Sequence, residues 1–191
     1  RAASVGDSIT RVLRAAGHSV HREYYVNDYG NQVEKLGLSF AYRYLQKFTA
    51  IDLPEDCYQG EYIVLYLDRL IADGKISTEI TLDAGKAASL NRDQWLADAA
   101  KYFAPLGIRS ILHDQQTDLK NFRTEFDAFF SEATLHEQGR VLGIAEELKR
   151  RGKVRSEDGA QLFVSTEYGD DKDRVVVRSD GRPTYLLAGI A

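Results

Sequence analysis

Four histidines, one cysteine and one run of alternating charges are the side chains best suited to chemistry in this 191-residue sequence. His18 and His21 stand three residues apart at the start of a strand pattern, so they face different directions. No cluster of cysteines or carboxylates completes a ligand set around them, His113 or His136, and no bound metal is expected. Cys57 lies in a polar loop with no base placed near it, and reads as an ordinary thiol rather than a nucleophile. Gly169-Asp170-Asp171-Lys172-Asp173-Arg174 gathers three carboxylates. Lys172 and Arg174 within the run argue against a cation site, so a solvated hairpin connection is the expectation. Neither G-x-x-x-x-G-K-[ST] nor G-x-G-x-x-G occurs, and no glycine loop for phosphate is visible. Asn27-Asp28-Tyr29-Gly30-Asn31 differs from these. It is a run of turn formers after a strand pattern, and the carboxyl ends of strands in open α/β sheets are where ligands bind.

The elements that must position these groups follow from periodicity. Val5, Ile9, Val12, Leu13 and Ala16 recur at helical spacing, and Gly17 ends the run. No cap precedes Arg1, so this helix is expected to be under way where the sequence starts. Residues 19–26 alternate as a strand, with Val20, Arg22, Tyr24 and Val26 on one face. Val33, Leu36, Phe40, Ala41, Tyr44, Leu45 and Phe48 then form a clean apolar stripe of a long helix. Residues 49–60 read as a loop, and Tyr62 to Leu70 as another helix. Residues 74–91 are polar and weakly periodic. Trp95, Leu96, Ala99 and Phe103 predict a helix capped by Asn91 and ended by Pro105-Leu106-Gly107, with a further helix over 108–119. Phe126, Ala128 and Phe130 alternate as a short strand. Thr134 and Glu137 form a capping box that opens a helix to Gly152. Glu157-Asp158-Gly159 predicts a hairpin. Ser179-Asp180-Gly181, between Val175-Val176-Val177 and Tyr185-Leu186-Leu187, predicts a second.

Helix–strand–helix at the start suggests half of a doubly wound α/β unit. Residues 52–150 are helix-rich and interrupt it. Hydrophobic and charged fractions of 43% and 28% exclude a disordered or collagen-like chain. A net charge of −4 disfavours a protein that coats DNA, while leaving room for a local basic patch on an enzyme that handles RNA. No apolar run is long enough to span a membrane, and the N-terminus lacks a signal-peptide core. A single cysteine excludes an internal disulfide framework and points to a reducing, cytoplasmic setting. The sequence holds no Met, so a processed chain or an excised piece is expected.

Three stretches together resemble one family. Glu23-Tyr24-Tyr25-Val26-Asn27-Asp28-Tyr29-Gly30-Asn31-Gln32 is similar to the signature after the second strand of bacterial arginyl-tRNA synthetases. Phe126-Asp127-Ala128-Phe129-Phe130-Ser131-Glu132 resembles the family's FDVWFSE stretch. Gly169 to Tyr185 resembles its GDDKDRVLVKSDGTPTY stretch. Order and spacing agree across almost the whole chain. The resemblance implies an α/β fold: a partial Rossmann-like class I synthetase core with a helix-rich connective insertion. Residues 1–51 would be the first part of the core, 52–164 the mainly helical insertion, and 165–191 a hairpin and return strand into the core. It further implies ATP as substrate with Mg2+ in the full-length protein, and arginine and tRNA(Arg) as partners.

In this class a His-x-Gly-His motif at a helix N-terminus and a Lys-Met-Ser-Lys-Ser-like loop stabilise the phosphate transition state. Neither is in this sequence: His18-Ser19-Val20-His21 lacks the glycine and follows the helix. No catalytic residue is therefore expected within the chain, and the fragment alone is expected to be inactive. What remains is part of the arginine and adenylate pocket: Asn27, Asp28 and Gln32 after the second strand, and Tyr185, which matches a pocket tyrosine. Four residues on, the family usually has an Asp that pairs with the substrate guanidinium; here the position is Gly189. Losing such a buried partner costs about 2–5 kcal/mol, so another carboxylate supplies it or arginine binds poorly. The alternative is a non-catalytic synthetase-like module that binds RNA or protein. An interrupted sheet would also expose an edge and favour self-association.

Overall fold

The computed structural model describes residues 2–87 and 91–191. Arg1, where the first helix was expected to be under way, lies outside them, as do residues 88–90 of the polar stretch 74–91. The elements run α1 (Ala2–Ala15), β1 (Glu23–Val26), α2 (Asn31–Leu45), α3 (Tyr62–Ala72), α4 (Thr78–Ala87), α5 (Arg92–Asn121), β2 (Ala128–Ser131), α6 (Glu132–Glu137), α7 (Arg140–Arg150), β3 (Val154–Glu157), β4 (Ala160–Phe163), a 3-10 turn (Ser165–Tyr168), β5 (Arg174–Val177) and α8 (Tyr185–Ile190). Helices and a parallel strand pair make this an α/β fold. Two compact units divide the chain: residues up to Arg22 with Asp28–Asp127, and Glu23–Asn27 with Ala128–Ala191. These units divide the segments 1–51 and 52–164, while 165–191 lies wholly in the second.

In the first unit the stripe of α2 meets α3, α4 and α5. Phe40, Leu45, Ile63, Leu67, Ala84, Ala99 and Phe103 are completely buried there. Each large side chain so buried contributes roughly 1.5–3 kcal/mol. The α2–α5 crossing needs two glycines. A Cβ on Gly37 would run into the Ala100 carbonyl oxygen and come 2.9 Å from the Ala104 Cβ. One on Gly107 would come 2.7 Å from the Phe40 ring. Gly107 therefore serves packing and does not end a helix. The break expected at Pro105-Leu106-Gly107 is absent, and α5 runs through Pro105 for 30 residues. A proline inside a helix leaves the carbonyl four residues back without its donor. Here that residue is Lys101, exposed like Pro105 itself, so water can satisfy the carbonyl while Phe103, Ala104 and Gly107 bury the opposite side.

α4 emerges from the stretch whose periodicity was weak. Ile80, Ala84 and Ala87 step by four and three onto the core. The Ser77 hydroxyl accepts the Ile80 N–H at 3.2 Å and caps the first turn. Ser39 is also completely buried. Its hydroxyl donates to the Lys35 carbonyl and accepts the Tyr58 N–H at 2.9 Å, tying the 49–60 loop to α2. Cys57, expected in a polar loop, is 5% exposed beneath this tie, and burial pushes its thiol pKa up. α1 ends at Gly17, whose φ of 88° is the left-handed stop expected of it. Its stripe nevertheless faces outward, with Val5, Ile9 and Val12 more than half exposed.

The second unit holds both sheets. β1 and β2 are parallel, with Glu23 opposite Ala128 and Val26 opposite Ser131. β3, β4 and β5 are antiparallel. The expected first hairpin turns at Asp158 and Gly159, both at positive φ, as a two-residue hairpin turn demands. The expected second hairpin is corrected: only Val177 bridges Pro183, and Tyr185-Leu186-Leu187 opens α8 instead of a strand. The Thr184 carbonyl turns away to accept the Ala188 N–H, and Leu186, Leu187 and Ile190 carry helical spacing. After β5, residues 178–191 therefore form no further named strand. The capping box is corrected too. Ser131 is the cap, its hydroxyl accepting the Thr134 N–H at 3.3 Å. Gly139, at φ 68°, then splits the expected single helix into α6 and α7.

Candidate functional site

Because Val26 pairs with Ser131, both parallel strands end level, and the residues that follow them share one carboxyl edge. Asn27 follows β1 and is exposed. Ser131 closes β2 and caps α6, which places Glu132 at the first helical position. Glu132 is only 7% exposed, and its carboxylate lies 3.7 Å from the His136 Nε2 one turn later. An acid at a helix N-terminus also meets the positive end of the peptide dipoles. Sequence reasoning passed over Glu132 as a site residue. The signal was an acid directly after an aromatic strand, at the point where strand becomes helix.

Gly30 adopts φ 84°, a left-handed value that glycine tolerates, and so turns the chain from β1 into α2. The Val33 and Glu34 N–H groups then bond the Gly30 carbonyl. Asp28 is half-buried before this turn, and Gln32 is exposed in the first turn of α2. The third set lies on α8. Tyr185 is its first residue and is 81% exposed. Gly189 follows four residues later, hence on the same helical face, while Leu187 is completely buried on the other. A Cβ on Gly189 would have nothing within 4 Å.

The structure thus brings Asn27 to the edge shared with Ser131 and Glu132, and Tyr185 onto one face with Gly189. Asn27, Glu132, Tyr185 and Gly189 belong to one compact unit, Asp28 and Gln32 to the other. Tyr185 is neither a strand residue nor a core one.

The charge run 169–174 is more than a solvated connection. Arg174 grips Asp170 through two hydrogen bonds of 2.7 and 2.6 Å and Asp171 through one of 2.7 Å. Asp173 accepts from Arg155 at 2.7 Å and from the Thr166 hydroxyl at 2.8 Å. The Arg155 guanidinium, helped by Thr166, holds the Asp173 carboxyl below its ordinary pKa. These acids are neutralised within the fold. Among the described residues no group of three His, Cys, Asp or Glu could hold a metal ion, and no helix is long and apolar enough to cross a membrane.

The family model described as "tRNA synthetases class I (R), catalytic domain" matches residues 1–191. An arginine–tRNA ligase of Leptospira interrogans is 43% identical over 210 aligned residues, covering all of this chain and 35% of that protein. One from Bacillus subtilis is 42% identical over 195, again covering all of this chain and 32% of its own length. The chain thus spans about a third of the curated relatives it matches. A Campylobacter jejuni crystal structure assigned as an arginyl-tRNA synthetase superposes with a TM-score of 0.72 at 33% identity, over 98% of this chain and 38% of that one.

Proposed function

The chain belongs to the catalytic-domain family of the class I arginyl-tRNA synthetases, and from that premise we propose that it forms part of the arginine and adenylate pocket of such an enzyme. In its full length the enzyme activates arginine with ATP and transfers it to tRNA(Arg) in the cytoplasm. The observation that carries this reading is the α8 face, where Tyr185 stands open beside the Gly189 position. Tyr185 lines the arginine side chain. Asn27, Asp28 and Gln32, after a parallel strand, contact the polar groups of the amino acid or adenylate. Glu132, buried in the first turn of α6, lies at the same strand edge as Asn27. Mg2+ would enter with the ATP phosphates, no ligand set for it being present among the described residues.

The test is aminoacylation. A full-length protein carrying this chain charges tRNA(Arg) with arginine, Tyr185→Ala raises its KM for arginine, and residues 1–191 alone give no ATP–pyrophosphate exchange. Failure of the full-length protein to charge tRNA(Arg) favours the second reading, a synthetase-like module that binds RNA or protein. Gly189, in place of the guanidinium partner, is the observation on that side. Self-association is supported by the exposed stripe Val5, Ile9 and Val12 on α1, and a concentration-independent monomer in sedimentation would rule it out.

A further inference from the structure

Thr184 precedes α8 in extended conformation, at the N-cap position where a threonine hydroxyl ordinarily accepts a helix N–H. It makes no such bond. Its hydroxyl turns back to β5 and donates to the Val175 carbonyl at 2.8 Å, with the Val176 carbonyl at 3.2 Å. Its own N–H donates to the Val176 carbonyl at 2.9 Å. The Thr184 carbonyl in turn accepts the Ala188 N–H at 3.2 Å. One residue therefore grips the strand on one side and starts the helix on the other. α8 is only six residues long, too short to hold a direction by itself. Its other anchors are Leu187 and Ala188 in the core, Leu186 packed against it, and the Arg140 guanidinium on the Ala191 carbonyl.

We infer that Thr184 is a positioning residue for arginine: its hydroxyl fixes the angle of α8 on β5 and so sets where Tyr185 and position 189 stand against the substrate. This rests on the pocket reading above. The hydroxyl touches no substrate; it acts through α8. Removing it takes the hydroxyl's bond from the Val175 carbonyl and lets the joint rotate, which weakens binding without altering the reacting groups.

The experiment uses the full-length protein with Thr184→Val, which keeps the side-chain shape, and Thr184→Ser, which keeps the hydroxyl. Loss of one such hydrogen bond weakens binding roughly tenfold. KM for arginine should thus rise about tenfold in Thr184→Val, while kcat and KM for ATP stay within about twofold, the pattern of lost uniform binding. Thr184→Ser restores the arginine KM. An unchanged arginine KM in Thr184→Val overturns the inference, as do a joint rise of the arginine and ATP KM values and a failure of serine to rescue. Tyr185→Ala separates the two levels. If it leaves the arginine KM unchanged, the pocket reading itself falls; if it raises that KM while Thr184→Val does not, only the role of Thr184 falls.

Discussion

Gly189→Asp restores the acid that the family resemblance leads one to expect, and its effects can be worked out from α8. The new Cβ meets nothing within 4 Å, so the side chain enters without overpacking. Replacing a helical glycine recovers part of a penalty of roughly 1 kcal/mol. An acid in the last turn opposes the helix dipole by about 0.3–1 kcal/mol. The two nearly cancel, and the melting temperature should hardly move. The effect on arginine depends on solvation. In this chain by itself Tyr185 is 81% exposed, so water screens the neighbouring position 189. An exposed pair there is worth about 0.2–1 kcal/mol, less than tenfold in affinity. In the full-length protein with the guanidinium desolvated, the pair is worth about 2–5 kcal/mol, roughly thirtyfold or more. Titration calorimetry with arginine on both forms measures the contrast. The expected result is a gain of at least about thirtyfold in the full-length protein and only a few-fold in the isolated chain. Unchanged arginine affinity in the full-length protein, with an unaltered melting curve, would refute the assignment of α8 to the guanidinium.

Two further expectations concern the scaffold. Gly37→Ala should destabilise the fold by about 1–3 kcal/mol, because its methyl meets the backbone of α5, which cannot rotate away. Gly143→Ala on α7 meets nothing and should stabilise by about 0.5–1 kcal/mol; urea midpoints that rank these two the other way would contradict the packing argument. Asp127 accepts the Arg22 N–H at 2.7 Å. That bond, with the Arg22 and Arg14 charges, holds its pKa below the ordinary value. Its stabilisation is thus complete above the ordinary carboxylate pKa of about 4 and is lost as pH falls through the depressed folded value. Asp127→Asn should therefore be less stable than the parent at neutral pH, with the gap closing in acid. A gap independent of pH in urea melts would contradict this.

Elements governed by one strong periodic stripe were legible in the sequence. Six of the seven stripe positions, Val33 to Leu45, fall in α2 and announced it, Phe48 lying beyond its end, and the Asp158-Gly159 turn announced its hairpin. Where the deciding interaction lies on a distant element, the local pattern misleads. Pro105 and Gly107 look like a helix end until Phe40 is seen packed against Gly107. Tyr185-Leu186-Leu187 look like a strand until the Thr184 carbonyl is seen to accept the Ala188 N–H and start a helix. α4 was weakly periodic because small alanines, and not large side chains, carry much of its buried face. Of the candidate site, Asn27 and Asp28 could be assigned to a strand end from turn chemistry, and Gln32 only through the family resemblance. Glu132 offered only its place directly after an aromatic strand, and its burial shows in the fold alone.

The sheltering of Cys57 gives the protein its own clock. As the chain's one cysteine, 5% exposed and with its thiol pKa pushed up by burial, it reacts with a labelling reagent mainly while the segment tied down by Ser39 is lifted. The rate at which it is modified under native conditions therefore counts those excursions directly. No reporter group need be engineered, and any substitution that loosens the grip of Ser39 on Tyr58 will make the clock run faster.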